Sequence, residues 1–574
     1  MSFAPSVSRV IAEARAGKAK PAGDSPGGTV EPRWRPWLES AAPVRWDDSE
    51  GAPRGVSLRG NGTPLGDAVW TFGTRTFRAD FDGGNLARVE RVKDTSFHLW
   101  TRADNEGTPH ESHHRTWFHF SVEGCDVGET LTFTFVDYNK QKTLFSNDFR
   151  PVYRVHGSMR SYQRVKFPVT SHLRDDGRFR FSFKHRFASS RPAYFAFSFP
   201  FGYHDAVAML DNVDARFADP THGPPLRERV WWTRETLARS VEGRSVEMVT
   251  VTDPEGMDPA RAPGSVRVPE GRQVFVVTCG VHPGEKPANH MLCGVLEFLL
   301  RADDPRAEAL RKAYVFRVVP MLNPDGAFRG HYRNDASGQN LNRCYDAPDP
   351  RAHPTIAATW AMLMRHAEKN ELGFYVDLHG HVNKRGCFAF SNALRDEAAT
   401  ESYAWARLVA LNNPHFDLGQ CNFTEKNMST RDKNGDSKEG SGRVALYRAT
   451  GLHHLYTVEA NYNSSRLLGA TPPASGDDGR ASPPSKGLHP IKYTPEIFNG
   501  VGRSLLIAAL DLRGANPWSR VPMSEHKSLK GVRAWARAAA RGDGAAKTET
   551  FEVAVSKRWG TARNSLLGQK LALR

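Results

Sequence analysis

A histidine and a glutamate lie three positions apart in the segment VHPGEKPA, where His282 and Glu285 follow the apolar stretch QVFVVTC. A second histidine, His379, follows the stretch GFYVDL, and the acid Asp377 lies two positions before it. Two histidines and one glutamate leave zinc a fourth position for water, which is the ligand set of a catalytic site rather than a structural one. Asp377 could orient a neighbouring ligand through a hydrogen bond. Alone, the pair His282 and Glu285 could equally be a solvated turn.

Another acid, Glu459, follows the apolar stretch HLYTV. Burying a lone carboxylate is unfavourable unless the group is paired or takes part in chemistry. Hydrolysis by an activated water requires a carboxylate that accepts the water's proton and delivers it to the leaving amine. Glu459 is therefore the candidate general base. The alternative is an ion pair with one of the many arginines.

Residues suited to bind an anion follow the turn NPDG in the segment GHYRNDASGQNLNR. Arg333 could stabilise an oxyanion, and the adjacent Asn342 and Arg343 offer a fork of donors that fits a carboxylate. The alternative is that all three are surface residues of a polar loop.

The elements that must position these residues follow an α/β pattern between residues 220 and 520. Buried strands are predicted for RQVFVVTC, AYVFRVVPML, GFYVDLHG and HLYTVEANY. Helices are predicted for Pro287–Leu300, Pro354–Lys369 and Glu401–Asn412, and a further helix should begin at Thr494-Pro495 with the threonine hydroxyl as its cap. In open α/β sheets, ligands collect outside the carboxyl ends of the strands, where His282, His379 and Glu459 would lie.

Three further regions lie outside this α/β domain. Residues 66–215 contain short runs of period two, rich in Phe, Thr and Val, which predict an antiparallel β-sandwich domain. Residues 1–65 are rich in Gly, Pro and charge and predict a poorly ordered segment. The stretch SLKGVRAWARAAAR predicts a basic helix, so residues 521–574 are interpreted as a basic C-terminal helix and tail. The predicted fold class is α/β, preceded by a β-sandwich.

The composition, with 39% hydrophobic and 25% charged residues, is ordinary for a globular protein. No stretch reaches the roughly 18–20 uninterrupted apolar residues of a membrane span, and no apolar core of a secretory signal is evident. The six cysteines form no CxxC pair, which indicates free thiols in a reducing compartment. The formal charge of +15 favours an acidic partner, whether nucleic acid, anionic membrane or acidic polypeptide.

Taken together and in this order, HxxE, NPDG, R…NLNR, a strand-ending His and a strand-ending Glu resemble the motifs of the zinc carboxypeptidases related to carboxypeptidase A. Within that family, HPGE, MLNPDG, GHYR, NLNR, DLHGH and EGSGRVA are similar to the cytosolic carboxypeptidases, which also carry an N-terminal β-sandwich. The resemblance covers roughly residues 75–520. It implies a zinc carboxypeptidase-type mixed sheet flanked by helices.

The resemblance implies these roles: zinc ligands His282, Glu285 and His379, general base Glu459, oxyanion-binding Arg333, and Asn342 and Arg343 on the substrate's terminal carboxylate. One zinc ion per chain is implied. The implied reaction is removal of C-terminal or branch-point glutamate from polyglutamylated proteins, chiefly tubulin. An acidic substrate side chain requires a basic pocket, for which Arg443 in EGSGRV is the candidate; it could equally be a structural arginine.

The partners implied are polyglutamylated tubulin tails or other acidic protein C-termini, rather than a specific nucleic acid or a membrane. We expect a monomeric protein that is located in the cytoplasm and is not secreted. Association with microtubules or a nuclear location would also be compatible with the reaction. Two alternatives stay open: an aspartoacylase-like zinc amidohydrolase acting on small N-acyl amino acids, and a catalytically silent tubulin-binding module. Activity on a glutamate-tailed peptide compared with an N-acyl amino acid separates the first alternative from the peptidase.

Two positions depart from the pattern of the digestive carboxypeptidases. Those enzymes carry an arginine between the His and Glu of HxxE, where this chain has Gly284, so one substrate contact must come from elsewhere. They also carry an acid in the motif GxDxNR, where this chain has Asn340.

Overall fold

The structure, a computed structural model, describes residues 68–159, 161–221, 223–258, 267–431, 435–486 and 489–542. The segment 1–65, predicted to be poorly ordered, and the predicted basic tail after residue 542 lie outside these residues. Among the described residues, no helix combines the length and the apolar character that crossing a membrane requires. All six cysteines are free thiols.

Two sheets form the N-terminal part of the molecule. Their strands are β1 (Val69–Phe72), β2 (Arg75–Arg78), β3 (Arg88–Lys93), β4 (Ser96–Trp100), β5 (His119–Glu123), β6 (Thr130–Tyr138), β7 (Val152–Val155), β8 (Gln163–Arg164), β9 (Thr170–Leu173), β10 (Phe179–Arg186) and β11 (Ala193–Ala196), with a short helix α1 (Lys142–Phe145) between β6 and β7. One sheet has the order β1-β2-β5-β11-β7-β8 and the other β3-β4-β6-β10-β9.

The two sheets share an aromatic core, because alternate side chains of each strand face the same side. Phe179, Phe181 and Phe183 of β10 are buried at every second position. Phe120 of one sheet contacts Phe133 of the other, with ring centroids 5.6 Å apart. The predicted antiparallel sandwich is confirmed with one exception: β4 and β6 pair in parallel. This pairing is possible because β5, which lies between them in the chain, belongs to the opposite sheet.

A seven-stranded sheet forms the second part of the molecule. Its strands are β12 (Trp231–Arg239), β13 (Ser245–Thr252), β14 (Gln273–Cys279), β15 (Tyr314–Val319), β16 (Leu372–His381), β17 (Cys387–Phe390) and β18 (Leu455–Asn461). They lie in the order β12-β13-β15-β14-β16-β18-β17. The four central strands run parallel, whereas β12, β13 and β17 pair antiparallel, so the predicted mixed sheet is confirmed. A separate short pair consists of β19 (Ala470–Thr471) and β20 (Ser485–Lys486).

The helices flank this sheet and connect its strands. They are α2 (Tyr203–Ala218), α3 (Gly223–Arg227), α4 (Lys286–Leu299), α5 (Pro305–Ala313), α6 (Pro324–Arg329), α7 (Pro354–Glu368), α8 (Asp396–Asn412), α9 (Glu425–Ser429), α10 (Gly442–Thr450), α11 (Pro495–Leu512) and α12 (Leu529–Arg541). Single 3₁₀ turns occur at Leu341–Arg343, Leu418–Gln420, Lys438–Gly440 and Val521–Met523.

The predicted helices are present, with shifts at their ends. The helix predicted from Glu401 begins five positions earlier, at Asp396, where two acids in its first turn favour the helix N-terminus. Thr494 is the N-cap of α11 as predicted, but its side chain makes no capping hydrogen bond, so that part of the prediction is wrong. Pro495 at the first helical position has no N–H, so this helix start has one unpaired donor fewer.

Helix α4 is buried along its whole length and crosses α11 at close range. A Cβ added at Gly294 of α4 would lie 2.0 Å from the carbonyl oxygen of Asn499 on α11. The glycine therefore allows the two backbones to touch. The helix begins after Glu285, which is its N-cap residue.

Candidate metal centre and active site

The predicted triad meets at the carboxyl ends of β14 and β16. Nδ1 of His282 lies 3.0 Å from Oε1 of Glu285, and Nδ1 of His379 lies 2.9 Å from Oε2 of the same carboxylate. The three possible ligand atoms lie within 4.8 Å of one another, and all three residues are buried. Within the described residues, this is the group of His, Cys, Asp and Glu side chains that could hold a metal ion.

Local backbone structure brings these residues together. Strand β14 ends at Cys279, and the turn that follows carries His282 and ends in Glu285 at the start of α4. The neighbouring strand β16 carries His379, and the backbone N–H of Gly380 donates to Oε2 of Glu285 at 2.9 Å. The parallel pairing of β14 with β16 therefore places the carboxylate directly beside the second histidine.

The second nitrogen of each imidazole has its own acceptor. Nε2 of His282 lies 2.9 Å from Oδ1 of Asn340, and Nε2 of His379 lies 2.6 Å from Oδ2 of Asp377. When these Nε2–H groups donate, each Nδ1 presents a lone pair to the carboxylate of Glu285. Two lone pairs facing an anion repel it unless a cation lies between them. Among the described residues, Nδ1 of His282 has no hydrogen-bond partner, so the donor set fits zinc.

The electrostatics of the triad agree with this assignment. Burial lowers the pKa of His282 to about 4, so the ring is neutral at pH 7. Burial alone would raise the pKa of Glu285, but the histidines on either side of the carboxylate, with the hydrogen bond from His379, hold it well below its usual value. Burial opposes the charge on His379, yet Asp377 and Glu285 raise the pKa of this histidine well above 6.5. The two carboxylates thus favour a positive charge at His379, and a metal ion bound at Nδ1 would compete with a ring proton for that position.

Glu459 lies opposite His379 on the adjacent strand β18. Its carboxylate is buried, and Oε2 finds no hydrogen-bond partner among the described residues. Burial raises the pKa of Glu459 to about 8, although the charges of His379 and Lys438 oppose this shift. In the described part of the chain no arginine forms an ion pair with it, so the alternative of a structural ion pair is not observed. The carboxyl group of Glu459 is placed beside the triad, as a general base requires.

The three predicted anion-binding residues surround the triad. Nη1 of Arg333 lies 4.0 Å from Oε1 of Glu285. Asn342 and Arg343 lie on the 3₁₀ turn next to His379, with Nδ2 of Asn342 at 3.5 Å from Nε2 of that histidine. Oδ1 of Asn342 accepts from the N–H of Gly442 at 3.2 Å, and Nη1 of Arg343 donates to the carbonyl oxygen of Asn342 at 2.8 Å. The structure thus brings together all the residues of the predicted site except Arg443.

Arg443 lies deeper, in the first turn of α10, and is 3% exposed. Its Nη1 donates to the carbonyl oxygen of Ser391 at 2.6 Å and to Oδ1 of Asn392 at 2.7 Å. Burial lowers the pKa of Arg443 to about 10, and no carboxylate of the described residues forms an ion pair with it. Burial lowers the pKa of Lys438, and the charges of Arg343 and Arg443 lower it further whereas that of Glu459 raises it, so Lys438 lies near all three side chains. No pattern in the sequence points to Lys438 beyond its position in the same Gly-rich segment.

Gly284, which replaces an arginine of the digestive enzymes, is explained by its surroundings. A Cβ at this position would lie 2.5 Å from Cδ2 of Tyr332 and 2.8 Å from its carbonyl oxygen. The hydroxyl of Tyr462 donates to the carbonyl oxygen of Gly284 at 3.1 Å. Two tyrosines therefore occupy the space that a longer side chain would need. Neither tyrosine was predicted as part of the site.

Comparisons with known proteins identify the family. The model of the zinc carboxypeptidase family matches residues 231–382, and that of the cytosolic carboxypeptidase N-terminal domain matches residues 77–195. Cytosolic carboxypeptidase-like protein 5 of Bos taurus is 35% identical over 611 residues, covering 84% of this chain and 69% of that protein. This chain belongs to the cytosolic carboxypeptidases. Cytosolic carboxypeptidase 6 of Caenorhabditis elegans is 30% identical over 408 residues, covering 70% of this chain and 81% of that protein.

A solved structure agrees with the fold of this cytosolic carboxypeptidase. The metallo-carboxypeptidase from Pseudomonas aeruginosa superposes with a TM-score of 0.56 at 22% identity, covering 76% of this chain and 99% of that one. Family membership makes the protein a zinc metallocarboxypeptidase, that is, a hydrolase. It also decides against the two alternatives, the amidohydrolase of small N-acyl amino acids and the catalytically silent module.

Proposed function

We propose that this cytosolic carboxypeptidase is a protein deglutamylase, which removes C-terminal or branch-point glutamate from polyglutamylated proteins, chiefly tubulin. The observation that carries the proposal is Arg443, a buried cation with no carboxylate paired to it among the described residues. A buried charge is unfavourable unless an opposite charge compensates it. The γ-carboxylate of a substrate glutamate would supply that charge.

We assign one zinc ion per chain to His282, Glu285 and His379. The two Nδ1 atoms and one carboxylate oxygen make up a ligand set of two nitrogens and one oxygen, which suits zinc. When bound, zinc lowers the pKa of water and polarises a carbonyl group. Asp377 and Asn340 would keep both rings in the tautomer that binds metal, because each accepts the Nε2–H.

The remaining chemistry belongs to side chains of the protein. Glu459 accepts a proton from the attacking water and passes it to the leaving amine nitrogen. Its burial raises its pKa to about 8 and so makes it a stronger base than an exposed glutamate. The guanidinium of Arg333, beside Glu285, stabilises the negative charge that develops on the carbonyl oxygen.

Asn342 and Arg343 make the enzyme an exopeptidase. A guanidinium presents a planar fork of donors that matches a carboxylate, and the neighbouring amide adds another donor. Both residues lie on one turn beside His379, so a terminal carboxylate bound there places the last peptide bond near the metal ligands. Internal peptide bonds have no such carboxylate and would not be positioned.

Selectivity for glutamate follows from the basic surroundings. Lys438 lies among Arg343, Arg443 and Lys384, whose charges all lower its pKa after burial. Such a cluster favours a polyanionic chain over a neutral one. The formal charge of +15 supports the same partners, which are polyglutamylated tubulin tails or other acidic protein C-termini. The proposed setting is the cytoplasm, with the enzyme acting as a monomer.

Two synthetic peptides that differ only in their last residue, Glu or the isosteric Gln, test the proposal. We expect the wild-type enzyme to favour the Glu peptide in kcat/KM by about 10–100-fold, the worth of one hydrogen-bonded charge. Arg443→Gln should remove the preference. Arg448→Gln is the matched control, because Arg448 lies on the same helix but is exposed and pairs with Glu439. Equal cleavage of both peptides by the wild type would refute the deglutamylase assignment.

A further inference from the structure

The loop that carries Arg333 is bound by an aspartate from the N-terminal sheets. The carboxylate of Asp104 accepts three successive backbone N–H groups, from Tyr332 at 2.6 Å, Arg333 at 2.7 Å and Asn334 at 2.9 Å. Asp104 is 1% exposed and lies 229 positions before Arg333. Converging N–H groups of consecutive residues form an anion-binding concavity, and here a side chain of the other part of the molecule fills it.

Asp104 is itself held firmly. It lies in the connection between β4 and β5, where its N–H donates to the carbonyl oxygen of His114 at 2.8 Å. Its own carbonyl oxygen accepts from the N–H of Ser112 at 3.0 Å. The next residue, Asn105, has a positive φ of 59°, a conformation that short polar side chains tolerate.

Two further contacts from the N-terminal sheets hold the same loop. Nδ2 of Asn105 donates to the carbonyl oxygen of Asp335 at 2.9 Å. Nδ2 of Asn85 donates to the carbonyl oxygen of Gly330 at 2.8 Å. The segment from Gly330 to Asp335 has no regular secondary structure of its own, so its backbone groups hydrogen-bond to side chains of the N-terminal part of the molecule.

We propose that Asp104 is a positioning residue for hydrolysis: it fixes the backbone of residues 332–334 and so holds the Arg333 guanidinium beside the triad. The N-terminal sheets thereby contribute to the active site without touching the substrate. This inference rests on the role given to Arg333 in the proposed function. Burying the carboxylate is unfavourable in itself, and the three N–H donors compensate it only while the loop keeps this conformation.

The variant Asp104→Asn keeps the shape of the side chain and removes its charge. Its NH₂ group must face at least one of the three N–H donors, so the loop cannot keep all three bonds. A displacement of about 1 Å in a catalytic group is enough to lower the rate by about 100-fold. We expect kcat on a peptide ending in Glu-Glu to fall by about 10–100-fold. KM should change little, because Arg333 acts on the transition state.

A double-mutant cycle separates positioning from general destabilisation. If Asp104 acts through Arg333, Asp104→Asn should lower kcat per zinc-bound molecule by about 10–100-fold in the wild-type background. In the Arg333→Ala background the same substitution should lower kcat by less than about twofold. Asp104→Glu, which keeps the charge but displaces it by one methylene, should behave in the same way. A purely structural residue would lower the melting temperature and the active fraction equally in both backgrounds.

Asp82→Asn is the matched control. Asp82 is also a buried carboxylate of the N-terminal part that accepts backbone N–H groups of a distant segment, from Tyr203 at 3.2 Å and His204 at 2.7 Å. Those residues begin α2 and are remote from Arg333 in the chain. We expect kcat of this variant to stay within about twofold of the wild type, whatever its effect on unfolding.

The outcomes are distinguishable. An unchanged kcat in Asp104→Asn beside a low kcat in Arg333→Ala overturns the inference and leaves the proposed function intact. An equal loss of kcat in both backgrounds, or loss of zinc from both Asp104 variants, makes Asp104 a structural residue and also overturns it. A wild-type kcat in Arg333→Ala refutes the oxyanion role of Arg333, and the inference with it.

Discussion

The charge on Asp377 should strengthen zinc binding through His379. Asp377 is 1% exposed; its Oδ2 lies 2.6 Å from Nε2 of His379, and its Oδ1 accepts from the hydroxyl of Thr278 at 2.7 Å. In Asp377→Asn the amide oxygen can still accept from the histidine. The Thr278 hydroxyl can rotate to accept from the new NH₂ group, since the hydroxyl of Tyr375 lies 3.3 Å away as another partner. The substitution therefore removes the charge and preserves the hydrogen bonds.

The expected loss follows from this difference. A hydrogen bond to a charged group contributes about 1.5–3 kcal/mol and a neutral one about 1 kcal/mol. The variant should lose about 1–2 kcal/mol of zinc binding, which is about 5–30-fold in Kd. Substitutions of groups that orient metal ligands cost about 10–100-fold, so the lower half of that range is expected here.

Zinc affinity is measured by titrating the protein against a chelator of known Kd, with activity recovery as an independent readout. Asp511→Asn is the matched control. Asp511, on α11, is another buried aspartate, and its Oδ2 accepts from Nδ2 of Asn412 at 2.7 Å. The control should bind zinc within about twofold of the wild type. A zinc Kd of Asp377→Asn equal to that of the control would refute the reasoning, since the charge would then contribute nothing.

Two further substitutions test particular contacts. In Asn340→Asp, the neutral acceptor of His282 becomes a charged one, and the amide nitrogen Nδ2, which has no partner among the described residues, is removed. Zinc should therefore bind about 3–10-fold more tightly in the same titration. Weaker binding would contradict this. In Gly284→Ala, the new Cβ would clash with Tyr332, so the free energy of unfolding, measured by thermal or denaturant unfolding, should fall by about 1–3 kcal/mol. The kcat should also fall, because Arg333 follows Tyr332 in the chain. Gly500→Ala on α11, whose Cβ would meet its nearest atom at 3.5 Å, is the control and should not be destabilised; equal stability of the two variants would speak against the clash.

The parts of the fold that the sequence predicts are those with a strong local signal. The strands β14, β15, β16 and β18 are nearly continuous apolar runs because parallel strands are buried on both faces. The strands β12, β13 and β17 lie at or toward the edges of the sheet, and β12 is half-exposed along its length, so its pattern is weak. The parallel pair β4 and β6 could not be predicted, because pairing depends on the path of the chain through the other sheet.

The site divides in the same way. The triad, Glu459, Arg333, Asn342 and Arg343 are carried by short motifs at the ends of strands or on one turn, so their types and order are legible in the sequence. The contacts that orient them join distant positions: Asn340 reaches His282 across 58 residues and Asp104 reaches Arg333 across 229. Such pairs leave no periodicity or spacing in the chain, and only the folded structure brings them together.

The proposed hydrolysis depends most directly on zinc at His282, Glu285 and His379, with Glu459 as the base. The measurement is glutamate release from polyglutamylated tubulin by the wild type and by Glu459→Gln, with the zinc content of both proteins determined in parallel. We expect one zinc per chain in each protein and a kcat about 10²–10⁴-fold lower in the variant, because the carboxylate that transfers the proton is lost. Equal turnover by the two proteins, or a wild-type protein that binds no zinc, would contradict it.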